Sequence, residues 1–142
     1  MTTSRGRQIV LAARPNGKPE LTDFRLEETA IPTPAAGQLL LEVQYLSLDP
    51  YMRGRMNDGK SYATPLQIGE VMTGETVAHV LASNNSAYVK GDVVLARTGW
   101  RTHALSDSTG LRKLDPAPAP VTTGLGVLGM PGFTAYGGRF RR

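Results

Sequence analysis

The stretch YLSLDPYMRGR, residues 45–55, decides how this chain is read, because the segments on both sides of it fix its setting. Before it lies LLLEVQ (39–44), in which apolar and polar residues partly alternate as in a half-buried strand. After it come PLQIGEVMTGETVAHVL (65–81) and YVKGDVVLA (88–96), two apolar segments that contain glycines and a Gly-Asp turn. The order of strand, polar turn and Gly-rich strand predicts a β domain.

The rest of the chain continues this spacing of short strands. Glycine (16) and proline (10) are distributed through the 142 residues without a low-complexity tract or an internal repeat. Intervals of roughly ten residues between strands favour a barrel or a sandwich over βαβ units. We therefore predict a mainly β barrel of short antiparallel strands between about residues 7 and 115, with helix mainly in the last quarter. The predicted strands cover 7–14, 24–31, 38–48, 75–83, 92–100, 101–107 and 111–115.

The C-terminal quarter carries a different pattern. The Pro-rich segment DPAPAPV (115–121) lacks both periodicities and is predicted to be extended. Thr122 and Thr123 follow it, and they are candidates to cap a short helix. MPGFTAYGG (130–138) is then predicted to open a second helix, since proline is acceptable in a first helical turn.

Two blocks carry a resemblance to a known family. The elements around DPYMRGRM (49–56) resemble the N-terminal, GroES-like domain of the medium-chain dehydrogenase/reductases, in the zinc-free branch of curcumin, prostaglandin and alkenal reductases. GVLGMPGFTAYGG (126–138) agrees with the same branch. The resemblance implies a substrate-side domain over 1–120 and the start of a connection over 121–138. It also implies that a Rossmann domain is missing from this apparently truncated chain, and that 139–142 is an atypical basic tail.

The same resemblance implies an activity. Members of this branch are NADPH-dependent oxidoreductases that reduce the C=C bond of α,β-unsaturated carbonyl compounds, so the expected partner is a small enone or enal. A homodimer of the full-length protein is left open. The alternative is a truncated, non-catalytic barrel domain or an interaction module.

Charge and composition exclude several other classes. The net charge is +4, but residues 139–142 hold three of the 16 basic groups, which leaves 13 basic against 12 acidic residues elsewhere. That balance gives no electrostatic footprint for nucleic acid. No apolar run approaches the ~18 residues that span a bilayer, and the N-terminus has no signal sequence. Cysteine is absent, which excludes disulfides and thiolate ligands, so we expect a cytoplasmic protein.

Zinc is not expected. The resemblance places Ser47 and Glu70 where related alcohol dehydrogenases have Cys and His ligands, and a site needs three suitable protein ligands. His79 and His103 lack metal-ligand spacing, so we interpret both as structural or surface residues.

Gly124, Gly126 and Gly129 spell the dinucleotide fingerprint G-x-G-x-x-G. Its chemistry needs an apolar strand before the first glycine and an acidic residue about 20 positions later. PAPAPVTT precedes the motif and the chain ends 13 residues after Gly129. We therefore do not interpret these glycines as a phosphate loop.

Pro50 and Tyr51 are the strongest site candidates. A proline after Asp49 favours a rigid corner, from which a phenol can stack on a nicotinamide ring or donate to a ligand oxygen. The resemblance gives Pro50 and Tyr51 cofactor contacts and gives Tyr51 a catalytic role. The alternative is a tyrosine that only braces the corner.

Three further candidates lie downstream. Tyr62, on a polar loop, is a catalytic candidate by a looser match, and a plain surface tyrosine is the alternative. Met130 and Thr134 are predicted cofactor contacts by resemblance, with ordinary helix packing as the alternative.

Three other side chains have simpler interpretations. Arg53 and Arg55 could attract a phosphate or an acidic substrate, although isolated loop arginines are usually solvated. Trp100 is interpreted as a core anchor.

Overall fold

The computed structural model describes residues 5–59 and 62–139. Within these ranges the chain is mainly β, with short helices between strands and at its C-terminal side. The strands are β1 Arg5–Leu11, β2 Phe24–Ala30, β3 Leu39–Leu46, β4 Thr76–Ser83, β5 Val93–Ala96, β6 His103–Ser106 and β7 Arg112–Lys113. The helices are α1 Tyr51–Arg55 and α2 Met130–Arg139, together with 3-10 turns at Leu21–Asp23 and Val121–Leu125.

The strands form two antiparallel sheets. β1 pairs with β2, and the second sheet has the order β6-β3-β4-β5-β7. Residues 99–102 connect the two sheets, since the Ile9 amide donates to the Trp100 carbonyl at 2.9 Å and the Val43 amide donates to the Thr102 carbonyl at 2.8 Å. The predicted mainly β, antiparallel architecture is confirmed, and all seven described strands begin within two residues of the predicted starts.

The core consists of two apolar clusters. The first lies between β3, β4 and β5 and is formed by Leu39, Leu41, Ala78, Val80, Val94 and Ala96. The second lies beneath β1 and α1 and is formed by Leu11, Met56, Leu66 and Met72. Trp100 packs against the second cluster and stacks on Phe24 with ring centroids 5.6 Å apart, which agrees with its interpretation as a core anchor. Burying each large side chain contributes about 1.5–3 kcal/mol.

Gly99 makes the close approach beside this tryptophan possible. Its φ is +75°, and a Cβ atom there would stand 2.5 Å from the Met72 carbonyl oxygen. Only glycine adopts this conformation and fits this space without strain. The backbone of residues 99 and 100 can therefore lie directly against Met72, whose carbonyl accepts from the Trp100 amide at 2.8 Å.

Two local predictions for the C-terminal quarter were wrong. Residues 116–118 form a turn in the middle of the segment that was predicted to be extended, because the Asp115 carboxylate accepts from the Ala117 amide at 2.9 Å. Thr122 and Thr123 do not cap the following helix. They lie inside a 3-10 turn that begins at Val121, and the Thr123 hydroxyl donates to the Pro120 carbonyl at 2.7 Å.

The last helix forms where it was predicted. α2 begins at Met130 and Pro131 occupies its first turn. Arg139 ends this helix, and the other three residues of the predicted basic tail lie outside the described ranges. Among the described helices, none has the length and apolar character that a bilayer crossing requires.

Candidate functional site

Residues 49–55 form a helical turn where a rigid, extended corner was predicted. Pro50 has φ −57° and ψ −30°, and α1 begins at the next residue. The Met52 amide donates to the Asp49 carbonyl at 3.1 Å, which closes the first turn. The fixed φ of proline suits a helix start, and burial of Met52 and Met56 in the domain holds the turn in place. Tyr51 is therefore the first residue of a helix that is packed against the core.

Arg53 fastens α1 to the turn that follows β1. Its guanidinium donates to the carbonyls of Pro15 and Gly17 at 3.1 and 2.9 Å and to the Asn57 side chain at 2.6 Å. Each of the three guanidinium nitrogens donates one of these bonds. Arg53 is a structural brace, and the phosphate-binding alternative finds no support in its contacts.

A cleft of about 370 Å³ brings together three of the predicted site residues. Tyr51 lies at the start of α1, Tyr62 on the loop after α1, and Met130 at the start of α2. Residues more than 60 positions apart in sequence thus share one cavity. The complete lining is Tyr51, Arg55, Tyr62, Ala63, Thr73, Glu75, Arg97 and Met130.

The exposure of the two tyrosines separates their roles. The Tyr51 side chain is half-buried, whereas Tyr62 is 86% exposed. A hydrogen bond from a half-buried donor competes less with water than one from an exposed donor. Tyr51 is therefore the better placed of the two to orient a ligand oxygen.

Two charged residues of the cleft were missed from the sequence. Glu75 precedes β4 and Arg97 follows β5, and their side chains form an ion pair of 3.4 Å. The Glu75 side chain is 12% exposed and the Arg97 side chain 83% exposed, so the pair stands at the mouth of the cleft. Antiparallel pairing of Thr76 with Ala96 makes these two residues cross-strand neighbours. Only this register brings them together, so the sequence alone carried no signal for the pair.

Arg55 lines the same cleft with a side chain that has no partner. Its Nε is buried without a hydrogen bond, and the guanidinium joins none of the ion pairs or hydrogen bonds formed among residues 5–59 and 62–139. Its backbone carbonyl is occupied, since it accepts from the Leu66 amide at 2.9 Å. The backbone is thus fixed while the cationic group remains available.

Pro50 and Thr134 are not brought to this cleft. Pro50 lines a neighbouring cavity of about 350 Å³ together with Asp49 and Trp100. One carboxylate oxygen of Asp49 is buried there without a partner in the described chain. Thr134 is exposed on α2 and lines none of these walls. Cofactor contacts by Pro50 and Thr134 remain predictions.

The four positions considered for zinc lie in ordinary structural settings. The Ser47 amide donates to the Glu75 carbonyl at 3.0 Å, and the Glu70 carboxylate accepts from the Gln67 amide at 2.8 Å. His79 is exposed on β4, and the His103 ring lies 3.0 Å from the Thr102 hydroxyl. In the described part of the chain, no three His, Asp or Glu side chains gather in a way that could hold a metal ion.

Two of the three glycines of the G-x-G-x-x-G pattern, Gly124 and Gly129, serve close packing. Gly124 is buried in the 3-10 turn, where an added Cβ would lie 3.3 Å from the Leu114 side chain. Gly129 lies against the carbonyl of Gly124 so closely that no Cβ could be accommodated. No strand leads into the motif, since residues 114–120 are turn and coil.

Comparison with known proteins places the chain among oxidoreductases. The family described as the N-terminal domain of oxidoreductase matches residues 7–114. NADPH-dependent curcumin reductase of Escherichia coli (strain K12) is 53% identical over 134 residues, covering 94% of this chain and 39% of that protein. Prostaglandin reductase 1 of Rattus norvegicus is 44% identical over 125 residues, covering 86% of this chain and 36% of that protein.

A solved structure agrees with the fold. CurA from Vibrio vulnificus, in complex with NADPH, is 55% identical with a TM-score of 0.88, covering 93% of this chain and 39% of that one. This chain therefore spans 36–39% of the length of these relatives.

Proposed function

Because the chain belongs to the family described as the N-terminal domain of oxidoreductase, we propose that it is the substrate-side domain of an NADPH-dependent double-bond reductase. Its substrates would be α,β-unsaturated carbonyl compounds. The observation that carries the proposal is the cleft in which Tyr51, Tyr62 and Met130 meet. The names of the relatives, which include curcumin and prostaglandin reductases, support the same reaction class. A cytoplasmic location and independence from zinc belong to this proposal.

The walls of the cleft fit a flat ring. The Met130 thioether and the Tyr51 phenol both provide apolar surface to the lining, and such surfaces pack well against an aromatic ring. Bound NADPH would supply the hydride for the double bond. Tyr51 and Met130 are the residues of this chain that would hold its nicotinamide end.

The polar residues of the cleft would orient the substrate. The Tyr51 hydroxyl can donate a hydrogen bond to the carbonyl oxygen, where negative charge develops when the β-carbon accepts a hydride. The Arg97 guanidinium is held at the mouth by Glu75 and adds positive charge to the lining. These groups position and polarise the carbonyl, which is the part of catalysis that a protein scaffold contributes.

Substitution of Tyr51 by Phe in the whole protein tests this assignment. The change keeps the ring and removes the hydroxyl, so the fold should survive while turnover of an enone falls by about a hundredfold, as expected for loss of one donor at developing charge. Tyr45→Phe is the matched control, because Tyr45 is half-exposed on β3 and lines none of the cavities described above. A Tyr51 variant with parental kcat and KM and a lower Tm would show that Tyr51 is only a structural brace.

The 142-residue chain alone should have negligible turnover. Hydride transfer requires the ring and the acceptor carbon to be held within about 3–3.5 Å. Residues 5–59 and 62–139 contain no βα unit with a phosphate-binding loop. Oxidation of NADPH by the pure chain, well above the rate in buffer with an enone present, would contradict this expectation.

The alternative of a non-catalytic interaction module is favoured by one observation. Val127, just before α2, and Phe133, within it, are 72% and 77% exposed, and exposed apolar side chains that lie together mark interaction sites. Titration of the chain and of the whole protein with NADPH separates the two candidates, since a reductase binds the cofactor in the whole protein and an interaction module has no reason to do so.

A further inference from the structure

We propose that Arg55 selects substrates in which the unsaturated carbonyl is accompanied by a carboxylate, and that it binds this carboxylate inside the cleft. The inference rests on the proposed reductase function and names a substrate class for the same site. It assigns to Arg55 a role in specificity that is separate from the role of Tyr51 in polarising the carbonyl.

The first observation is the unpaired guanidinium. Arg55 is half-buried and its Nε is buried without a hydrogen bond, so part of its hydration is lost with no compensating contact among the described residues. A buried donor without a partner is costly, and such groups are usually satisfied by protein, water or ligand. A carboxylate matches the planar fork of donors of a guanidinium, as a phosphate does.

The second observation is the position of Arg55 within the cavity. Tyr51 and Tyr62, the two predicted substrate contacts, line the same 370 Å³ cleft as Arg55. A volume in this range, near the lower end of small-molecule sites, suits a compact ligand. An enone contacting Tyr51 could therefore reach Arg55 with a carboxylate on the same small molecule.

The third observation is the charge of the lining. Arg55 and Arg97 provide two cations and Glu75 provides one anion, which is already paired with Arg97. The uncompensated charge of the cleft is thus positive and is centred on Arg55. Arg53, two residues earlier, already donates to two backbone carbonyls and to Asn57, and it does not line the cleft.

The test uses this chain and two ligands that differ in charge and by one methyl group, trans-3-benzoylacrylate and its methyl ester. Dissociation constants are measured by NMR titration near neutral pH at low salt, and the absence of cysteine removes the thiol that would otherwise add to an enone. We expect the acid to bind at least about tenfold more tightly than the ester, because hydrogen bonds to an ionised group are about twice as strong as neutral ones. The preference should weaken at high salt.

Substitutions test whether the preference for the acid over the ester depends on Arg55. In Arg55→Gln the acid should lose its advantage and bind with the same affinity as the ester. Lys90→Gln makes the same change of charge on an exposed turn and should keep the preference. Arg55→Lys should retain part of the preference for the acid, since the positive charge is kept and the planar pair of guanidinium donors is lost. Retained ester binding in Arg55→Gln shows that the cleft is still folded.

Three outcomes would overturn the proposal: equal binding of acid and ester to the parent chain, a preference that survives in Arg55→Gln, and no binding of either compound at about millimolar concentration. Nicotinamide mononucleotide is titrated in parallel, because a cofactor phosphate offers similar anionic oxygens. If Arg55→Gln weakens the binding of the nucleotide and not the binding of benzoylacrylate, the proposed substrate class is wrong. None of these results affects the proposed reductase function, which fails separately if the whole protein shows no enone-dependent oxidation of NADPH.

Discussion

Replacement of Arg53 by Gln should destabilise the domain, although the sequence presents Arg53 as an exposed loop cation. The guanidinium bridges α1 to the turn after β1 through the carbonyls of Pro15 and Gly17 and also bonds to Asn57. Glutamine is shorter and has one amide group, so it cannot reach all three acceptors. The variant should loosen the attachment of α1, the helix that carries Tyr51.

The expected magnitude follows from these three bonds. Hydrogen bonds to a charged group contribute about 1.5–3 kcal/mol each, but Arg53 is only half-buried and its acceptors lie in a surface turn that water can reach. We therefore discount each bond to about 0.5–1 kcal/mol, which gives about 2 kcal/mol in total. For a domain of this size that loss lowers the Tm by about 6–8 °C.

Thermal unfolding followed by circular dichroism measures the effect. Arg5→Gln is the matched control, since Arg5 makes one exposed ion pair with Glu28 at 3.1 Å, and a pair of this kind contributes about 0–1 kcal/mol. Arg55→Gln is a second control, because no hydrogen bond of its side chain is lost. If Arg53→Gln melts within about 2 °C of the Arg5 variant, the brace contributes nothing and the reasoning from its three bonds is refuted.

Two further substitutions give independent checks. Gly99→Ala should lower the free energy of unfolding by more than about 2 kcal/mol, because the alanine would have a positive φ and its Cβ would collide with the Met72 carbonyl. A variant with the parental Tm would contradict this prediction. Asp92→Asn tests a pH dependence, since hydrogen bonds from Lys113 and from the Val89 amide lower the pKa of Asp92 below 3.8. The ionised Asp92 carboxylate stabilises the fold fully at pH values above its ordinary pKa in the unfolded chain. This stabilisation is lost as the pH falls through the lowered pKa of the folded state. The difference in Tm between parent and variant should therefore be constant from about pH 7 to 5 and should close in acid, and a gap that persists in strong acid would refute the assignment.

The strands could be predicted from sequence because their signal is local. Alternating apolar residues bounded by Gly and Pro mark segments such as 39–46 and 76–83 without reference to the rest of the chain. The turn at 116–118 was missed for the opposite reason. The prolines there favour extended backbone, and a single side-chain bond from Asp115 overrides that preference.

The cleft was predictable in part. Tyr51, Tyr62 and Met130 were found through the family resemblance, and the structure brings all three together. Glu75 and Arg97 carry no motif, and they become neighbours only through the antiparallel register of β4 and β5. Their pairing depends on long-range contacts that the sequence does not display.

The two arginines of the MRGR segment show how a wrong prediction of local structure hides a difference in role. In an extended or irregular loop, Arg53 and Arg55 are equivalent, and the sequence supports one interpretation for both. In a helix, residues two positions apart point in directions that differ by about 200°. Because 51–55 is helical, Arg53 faces the turn after β1, where it bonds to Pro15 and Gly17, while Arg55 lines the cleft beside Tyr51. One turn of helix thus gives the two arginines different roles. Arg53 braces the helix, and only the Arg55 guanidinium is available to bind a charged group of a ligand.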